Sequence, residues 1–124
     1  LVGDGPERIK LQNKYPDTVF LGYKFGTELA ELYASSDVFV LSSLSETFGL
    51  IMIESMACGT PVAALPSDAS KVVIDHKKTG FVGNLVEGIE YCIENVDSET
   101  CIKYSEQYRW ANATEKFFNN LIRA

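Results

Sequence analysis

The sequence predicts an α/β fold in a single domain, a parallel sheet with helices packed on it. Short buried-strand runs, Val38-Phe39-Val40-Leu41 and Pro61-Val62-Ala63-Ala64-Leu65, are separated by a longer helical pattern. Residues 42–60 are too many for a hairpin, so the two runs are joined by a helical crossover, the connection that parallel strands require. The helix between them stops where Gly59 can cap it and Pro61 forbids its continuation.

The remaining elements follow in order. Leu1-Val2 reads as the end of a strand that turns through Gly3-Asp4-Gly5-Pro6 into a short helix over 6–13, with Pro6 in its first turn. Gly3 and Gly5 fit a dinucleotide fingerprint, but Arg8 occupies the third glycine position, so an NAD site is not supported. Val19-Phe20-Leu21 is the next strand, closing on Gly22. Thr27 is placed to cap a helix over 28–35, whose Leu29, Leu32 and Tyr33 form a core stripe. After Leu65, residues 66–75 carry a loop and a short helix, and Gly80-Phe81-Val82-Gly83 is a last strand. Asn84 and Glu87 have the spacing of a capping box for a helix with Leu85, Ile89, Cys92, Ile93 and Val96 inward. Two more helices are expected over 98–108 and 110–122, the second with Trp110, Ala113, Phe117 and Leu121 on one stripe.

Composition narrows the function. The chain of 124 residues is 46% hydrophobic and 23% charged, as in ordinary globular domains, and its net charge of −6 argues against non-specific nucleic-acid binding. No run approaches the roughly 18 apolar residues of a membrane span. Cys58, Cys92 and Cys101 form no C-x-x-C pair and read as buried free thiols of a reducing compartment. The single histidine, His76, reads as a solvated turn residue and builds neither a metal cluster nor a triad.

The chemistry concentrates in residues 42–64. Glu54 is a lone carboxylate among Leu50, Ile51, Met52, Ile53 and Met56, and Glu46 lies in the loop before the helix. With the helix starting near Phe48, Glu54 stands about 9 Å along it. Between the two carboxylates lie the free N–H groups around Phe48, Gly49 and Leu50, a terminus that favours anions and that glycine lets a phosphate approach. Two diol-gripping carboxylates flanking a phosphate seat match the layout of a sugar nucleotide. The plainer readings are Glu46 as a partner of the helix dipole and Glu54 as the rim of an amphipathic helix.

The ordered string of motifs resembles the C-terminal, donor-binding domain of retaining glycosyltransferases of the GT-B fold, the glycosyltransferase family 4-like (group 1) enzymes. It comprises G-D-G-P from Gly3, F-L-G from Phe20, L-A-E-L-Y-A-S-S-D-V-F-V from Leu29, E-x7-E from Glu46 to Glu54, E-S-M-A-C-G-T-P-V-A from Glu54 and K-T-G-F-V from Lys78. The match covers about the first two-thirds of the chain. Lys71 stands where the family commonly has a glutamate, and the glycines usual before it are gone.

The resemblance implies a Rossmann-like parallel sheet with helices on both faces, lacking its first strand–helix unit. Residues 1–124 would be one nucleotide-sugar-binding domain, a fragment of a two-domain enzyme whose N-terminal acceptor domain is missing. The full enzyme would move a sugar from a UDP-, GDP- or ADP-sugar to an acceptor hydroxyl with retention, with no cofactor and no metal. Glu46 would hold the donor sugar as the catalytic-site carboxylate, and amides near Phe48, Gly49 and Leu50 would meet the diphosphate. Glu54 would bind the ribose, while backbone at Gly22 and Tyr23 would meet the base, unless that segment is a plain loop. The diphosphate-neutralising Lys and Arg would come from the missing unit, so the chain alone would be inactive. A cytoplasmic location is expected, with peripheral membrane association open to the full enzyme. Two other readings remain: a catalytically silent half that binds nucleotide or a partner, and a nucleotide-sugar epimerase of the same fold.

Overall fold

The structure, a computed structural model, describes residues 1–121. Its centre is a three-stranded sheet of β1 (Phe39–Leu41), β2 (Val62–Ala64) and β3 (Gly80–Val82), in that order and wholly parallel. Phe39 pairs with Val62 and Val62 with Gly80, so the strands lie level. Around the sheet stand α1 (Arg8–Lys14), α2 (Gly26–Ala34), α3 (Leu50–Ala57), α4 (Asp68–Val73), α5 (Leu85–Asn95), α6 (Ser98–Ser105), a 3-10 turn (Glu106–Tyr108) and α7 (Trp110–Asn120).

Strand periodicity divides the core in two. Successive side chains of β2 point to opposite faces. Val62 and Ala64 join Leu41, Met52, Met56, Val73 and Cys101, the layer contributed by α3, α4 and α6. Ala63 faces the other way, with Phe81 and Cys92, under α5. All three residues of β2 are buried because the strand has a neighbour on each side and helices on both faces. This is the Rossmann-like α/β arrangement that the strand–helix–strand pattern predicts.

The first third of the chain departs from expectation. Residues 1–2 and 19–21 do not enter the sheet. They bond to each other: the α-amino group of Leu1 donates to the Val19 carbonyl at 2.7 Å, Leu21 N–H to Leu1 at 3.0 Å, and Gly3 N–H to Gly22 at 2.7 Å. β1 therefore pairs with β2 alone, and Val40 is 41% exposed. A cavity of about 530 Å³ separates Leu1 and Val2 from Val38, Phe39 and Val40, bordered by Leu29, Leu32, Tyr33 and Ile51. The stripe on α2 is half-buried for that reason, not core as expected.

Several ends also differ. Helix α2 starts at Gly26 behind an extended Phe25 that caps without a side-chain bond, so Thr27 lies inside the helix. Asn84 caps α5 by accepting from Val86 and Glu87 N–H, with no return bond from Glu87. The reciprocal capping box belongs to Ser67 and Ser70 at α4 instead. The expected helix over 98–108 tightens into the 3-10 turn after Ser105, and Ile93 on α5 is exposed. Cys92 and Cys101 are buried, but Cys58 is only half-buried, at the end of α3. His76 is exposed as expected, with Nδ1 accepting from Val82 N–H at 3.1 Å. Helix α7 buries no residue, and Trp110 is 88% exposed. The helix ends at Asn120 with Leu121 extended, short of the expected stripe position, and Ile122 lies outside the described residues.

Candidate functional site

The loop from β1 to α3 leaves the C-terminal end of the sheet, where open α/β sheets collect their ligands. Gly49 makes its last turn. Its φ of +78° belongs to the left-handed region, and it is the N-cap of α3. The helix thus starts at Leu50, two residues later than the sequence suggests, so Glu54 stands about 6 Å along it rather than about 9 Å. No side chain caps this terminus. Met52 N–H turns back to the Gly49 carbonyl at 3.0 Å, and the amides before it are among the first-turn groups that have no partner within the helix. Gly49 is buried, whereas Phe48 and Leu50 on either side are exposed.

Glu54 is exposed on the side of α3 that faces α2. There it borders a groove of about 310 Å³ with Gly26, Leu29, Ala30, Tyr33, Ala57 and Cys58. Its carboxylate acts on two neighbours. Burial first, then Glu54 and Cys58, raises the Tyr33 phenol above its ordinary value, and burial followed by Glu54 raises the Cys58 thiol. The groove floor is tied from below by Thr60, whose hydroxyl donates to the Tyr33 carbonyl.

The other expected site residues lie outside that groove. Glu46 is half-buried in the loop before α3. Gly22 is buried, and its carbonyl already accepts from Gly3. Tyr23 is exposed, donates its hydroxyl to the Asp4 carbonyl at 3.0 Å and stacks near-parallel on Phe25, with centroids 6.0 Å apart. Gly26, Tyr33 and Cys58 were not among the expected site residues. Tyr33 was readable only as part of a core stripe, because a half-buried groove wall and a core face have the same helical spacing. Among the described residues, no three His, Cys, Asp or Glu side chains gather into a metal-binding group, and no helix is long and apolar enough to cross a membrane.

A parallel sheet with helices on both faces and a crossover loop leaving its C-terminal end make this a Rossmann-like α/β domain. Residues 1–101 match the family described as Glycosyl transferases group 1. The chain belongs to that family. It is 44% identical over 82 residues to a GDP-mannose-dependent alpha-mannosyltransferase of Mycobacterium tuberculosis, covering 66% of this chain and 22% of the relative. It is 36% identical to the Sulfoquinovosyl transferase SQD2 of Arabidopsis thaliana over 140 aligned positions, covering 99% of this chain and 27% of the relative. It is 39% identical over 88 residues to the N-acetyl-alpha-D-glucosaminyl L-malate synthase of Bacillus anthracis, covering 66% of this chain and 23% of the relative. The chain thus spans about a quarter of the length of these curated relatives.

Proposed function

We propose that this chain is the donor-binding half of a retaining, metal-independent glycosyltransferase that moves a sugar from a nucleotide-diphosphate sugar to an acceptor hydroxyl. The observation that carries the reading is the exposed Glu54 on α3, bordering an open groove, about one turn beyond a helix start that leaves free amides. A carboxylate there can accept both hydroxyls of a ribose. The amides at the start of α3 then meet the diphosphate, where they stabilise charge that develops on the leaving group. Glu46, before the helix, accepts from hydroxyls of the transferred sugar. A GDP-sugar is the first donor to try, since the mycobacterial relative is a GDP-mannose-dependent enzyme. The acceptor is held by polypeptide outside residues 1–124. We assign the protein to the cytoplasm, where its free thiols stay reduced.

The test is calorimetric titration of the folded chain with UDP, GDP, ADP and their sugar conjugates, repeated with Glu54→Ala. One nucleotide should bind, and the substitution should weaken it at least about tenfold, close to 1.4 kcal/mol. A second reading, a silent half that binds a partner subunit, is favoured by one feature: among the described residues, no Lys or Arg borders the groove. A folded chain that binds none of the nucleotides would favour that reading over the first.

A further inference from the structure

The loop over residues 42–49 has few bonds of its own. Among the described residues, its internal hydrogen bond is Ser43 Oγ donating to the Ser45 carbonyl at 3.0 Å. Nothing in that bond constrains Glu46 or Phe48. The ring of Phe48, near the far end of the loop, is met from the other end of the chain. The ring of Phe48 meets the ring of Tyr108 edge-on, with centroids 6.4 Å apart and planes at 77°. Tyr104, one helical turn earlier, meets the same Tyr108 ring at 6.2 Å and 62°. Both geometries are those that aromatic quadrupoles favour.

Tyr108 follows directly on a packed helix. Helix α6, which leads to it, lies along α3 with Cys101 in the same buried cluster as Met52 and Met56. A side chain at Gly59 would press on Ser98 and Ile102, so the start of α6 sits at the C-terminal end of α3. Its continuation returns to the N-terminal end, where the 3-10 turn delivers Tyr108 to Phe48. Burial, then the hydroxyl of Tyr104 beside it, pushes the Tyr108 phenol up to about 12. Tyr104 and Tyr108 both lie beyond the family-matched residues 1–101.

We propose that Tyr108 is a positioning residue: its ring clamps Phe48, and through Phe48 it sets where the loop holds Glu46 relative to α3. The role of Glu46 toward the donor sugar rests on the proposed function, while the clamp itself does not. The clamp acts on the sugar end of the site only, since Glu54 stands on α3 and is held by the helix.

Two measurements on the 124-residue chain test this, using Tyr108→Ala, Tyr108→Phe and, should the alanine variant fold poorly, Tyr108→Leu. The first is the backbone order parameters of residues 44–48 by NMR relaxation, referenced to α3. Loss of the ring should lower the loop values to below about 0.6 with α3 unchanged near about 0.85, and Tyr108→Phe should match the parent. The second compares a nucleoside diphosphate with its sugar conjugate by calorimetry. The conjugate should weaken about fivefold in Tyr108→Ala, the bare nucleotide less than about twofold, and Tyr108→Phe should restore both. Unchanged loop order would overturn the clamp. Lower order with equal loss of both ligands would overturn its action on Glu46 and leave Tyr108 a packing residue. If the parent chain binds no nucleotide, the donor reading fails instead, and the relaxation experiment alone decides the clamp.

Discussion

Ser55 and Thr60 close on each other in both directions. The Ser55 hydroxyl donates to the Thr60 carbonyl at 2.9 Å, and Thr60 N–H donates to the Ser55 carbonyl at 3.0 Å. Both residues are buried, and Thr60 passes the link on to the Tyr33 carbonyl at the end of α2. This knot ends α3, aims the chain into β2 and ties together the two helices that wall the groove. Replacing Ser55 by alanine leaves a buried carbonyl short of a donor, at a cost of about 1–2 kcal/mol. Thermal unfolding should then shift down by about 3–8 °C. A shift below about 1 °C would mean that the turn is held by its backbone alone.

Gly49 sets where α3 begins. Its φ is +78°, and a side chain there would collide with the Sδ–Cε end of Met52. Gly49→Ala should therefore cost about 1–3 kcal/mol in urea unfolding, more than the usual surface substitution. Nucleotide affinity should fall with it, because the amides before Met52 would turn away. If alanine is tolerated with full affinity, those amides are not the diphosphate seat.

Cys58 reports on Glu54. The thiol is raised above its ordinary value of 9.0 by burial and then by the Glu54 carboxylate. Removing the charge lowers the thiol pKa and increases the thiolate at a given pH. Glu54→Gln should thus speed alkylation of Cys58 at pH 8. Cys92 and Cys101, pushed by burial up to about 11 and about 12, should stay unmodified in the folded chain. A nucleotide seated in the groove should slow Cys58 alkylation in the parent protein. Glu54 is exposed, so the same variant should change unfolding free energy by less than about 0.5 kcal/mol. Alkylation indifferent to both the charge and the nucleotide would dissociate Cys58 from the groove.

Asp97 gives the fold a pH dependence at its acid end. Its carboxylate accepts from the Thr100 hydroxyl at 2.7 Å and from Thr100 N–H at 2.9 Å. The hydroxyl bond, followed by the backbone bond, holds the acid below its ordinary value of 3.8. A depressed folded pKa means that the contribution is complete above 3.8 and is lost as pH falls through the lower, folded value. The stability advantage of the parent over Asp97→Asn, followed by urea unfolding from pH 7 to pH 2.5, should shrink only at the acid end. A difference constant across that range would remove Asp97 from the acid response.

The α/β class and the strand–crossover–strand unit were legible in the sequence, because β2 is buried on both faces and tolerates only a short apolar run. Gly59 and Pro61 likewise marked the end of α3 through backbone geometry that no tertiary contact alters. Caps were less legible: Ser67 and Ser70, not Asn84 and Glu87, make the reciprocal box. Several residue pairs satisfy such a spacing, and only the local backbone decides which side chain turns inward.

By itself, the sequence determined the class of fold, the family and the candidate carboxylates Glu46 and Glu54, all of which depend on local patterns and ordered spacing. Tertiary structure decided the rest. It left residues 1–2 and 19–21 outside the sheet and β1 at an edge, since strand pairing depends on what lies alongside. It also brought Tyr33 to Glu54 and Tyr108 to Phe48, pairs whose separation along the chain gives periodicity nothing to read. Such contacts arise from helices packing across one another, where α6 returns along α3, and that geometry exists only once the chain has folded.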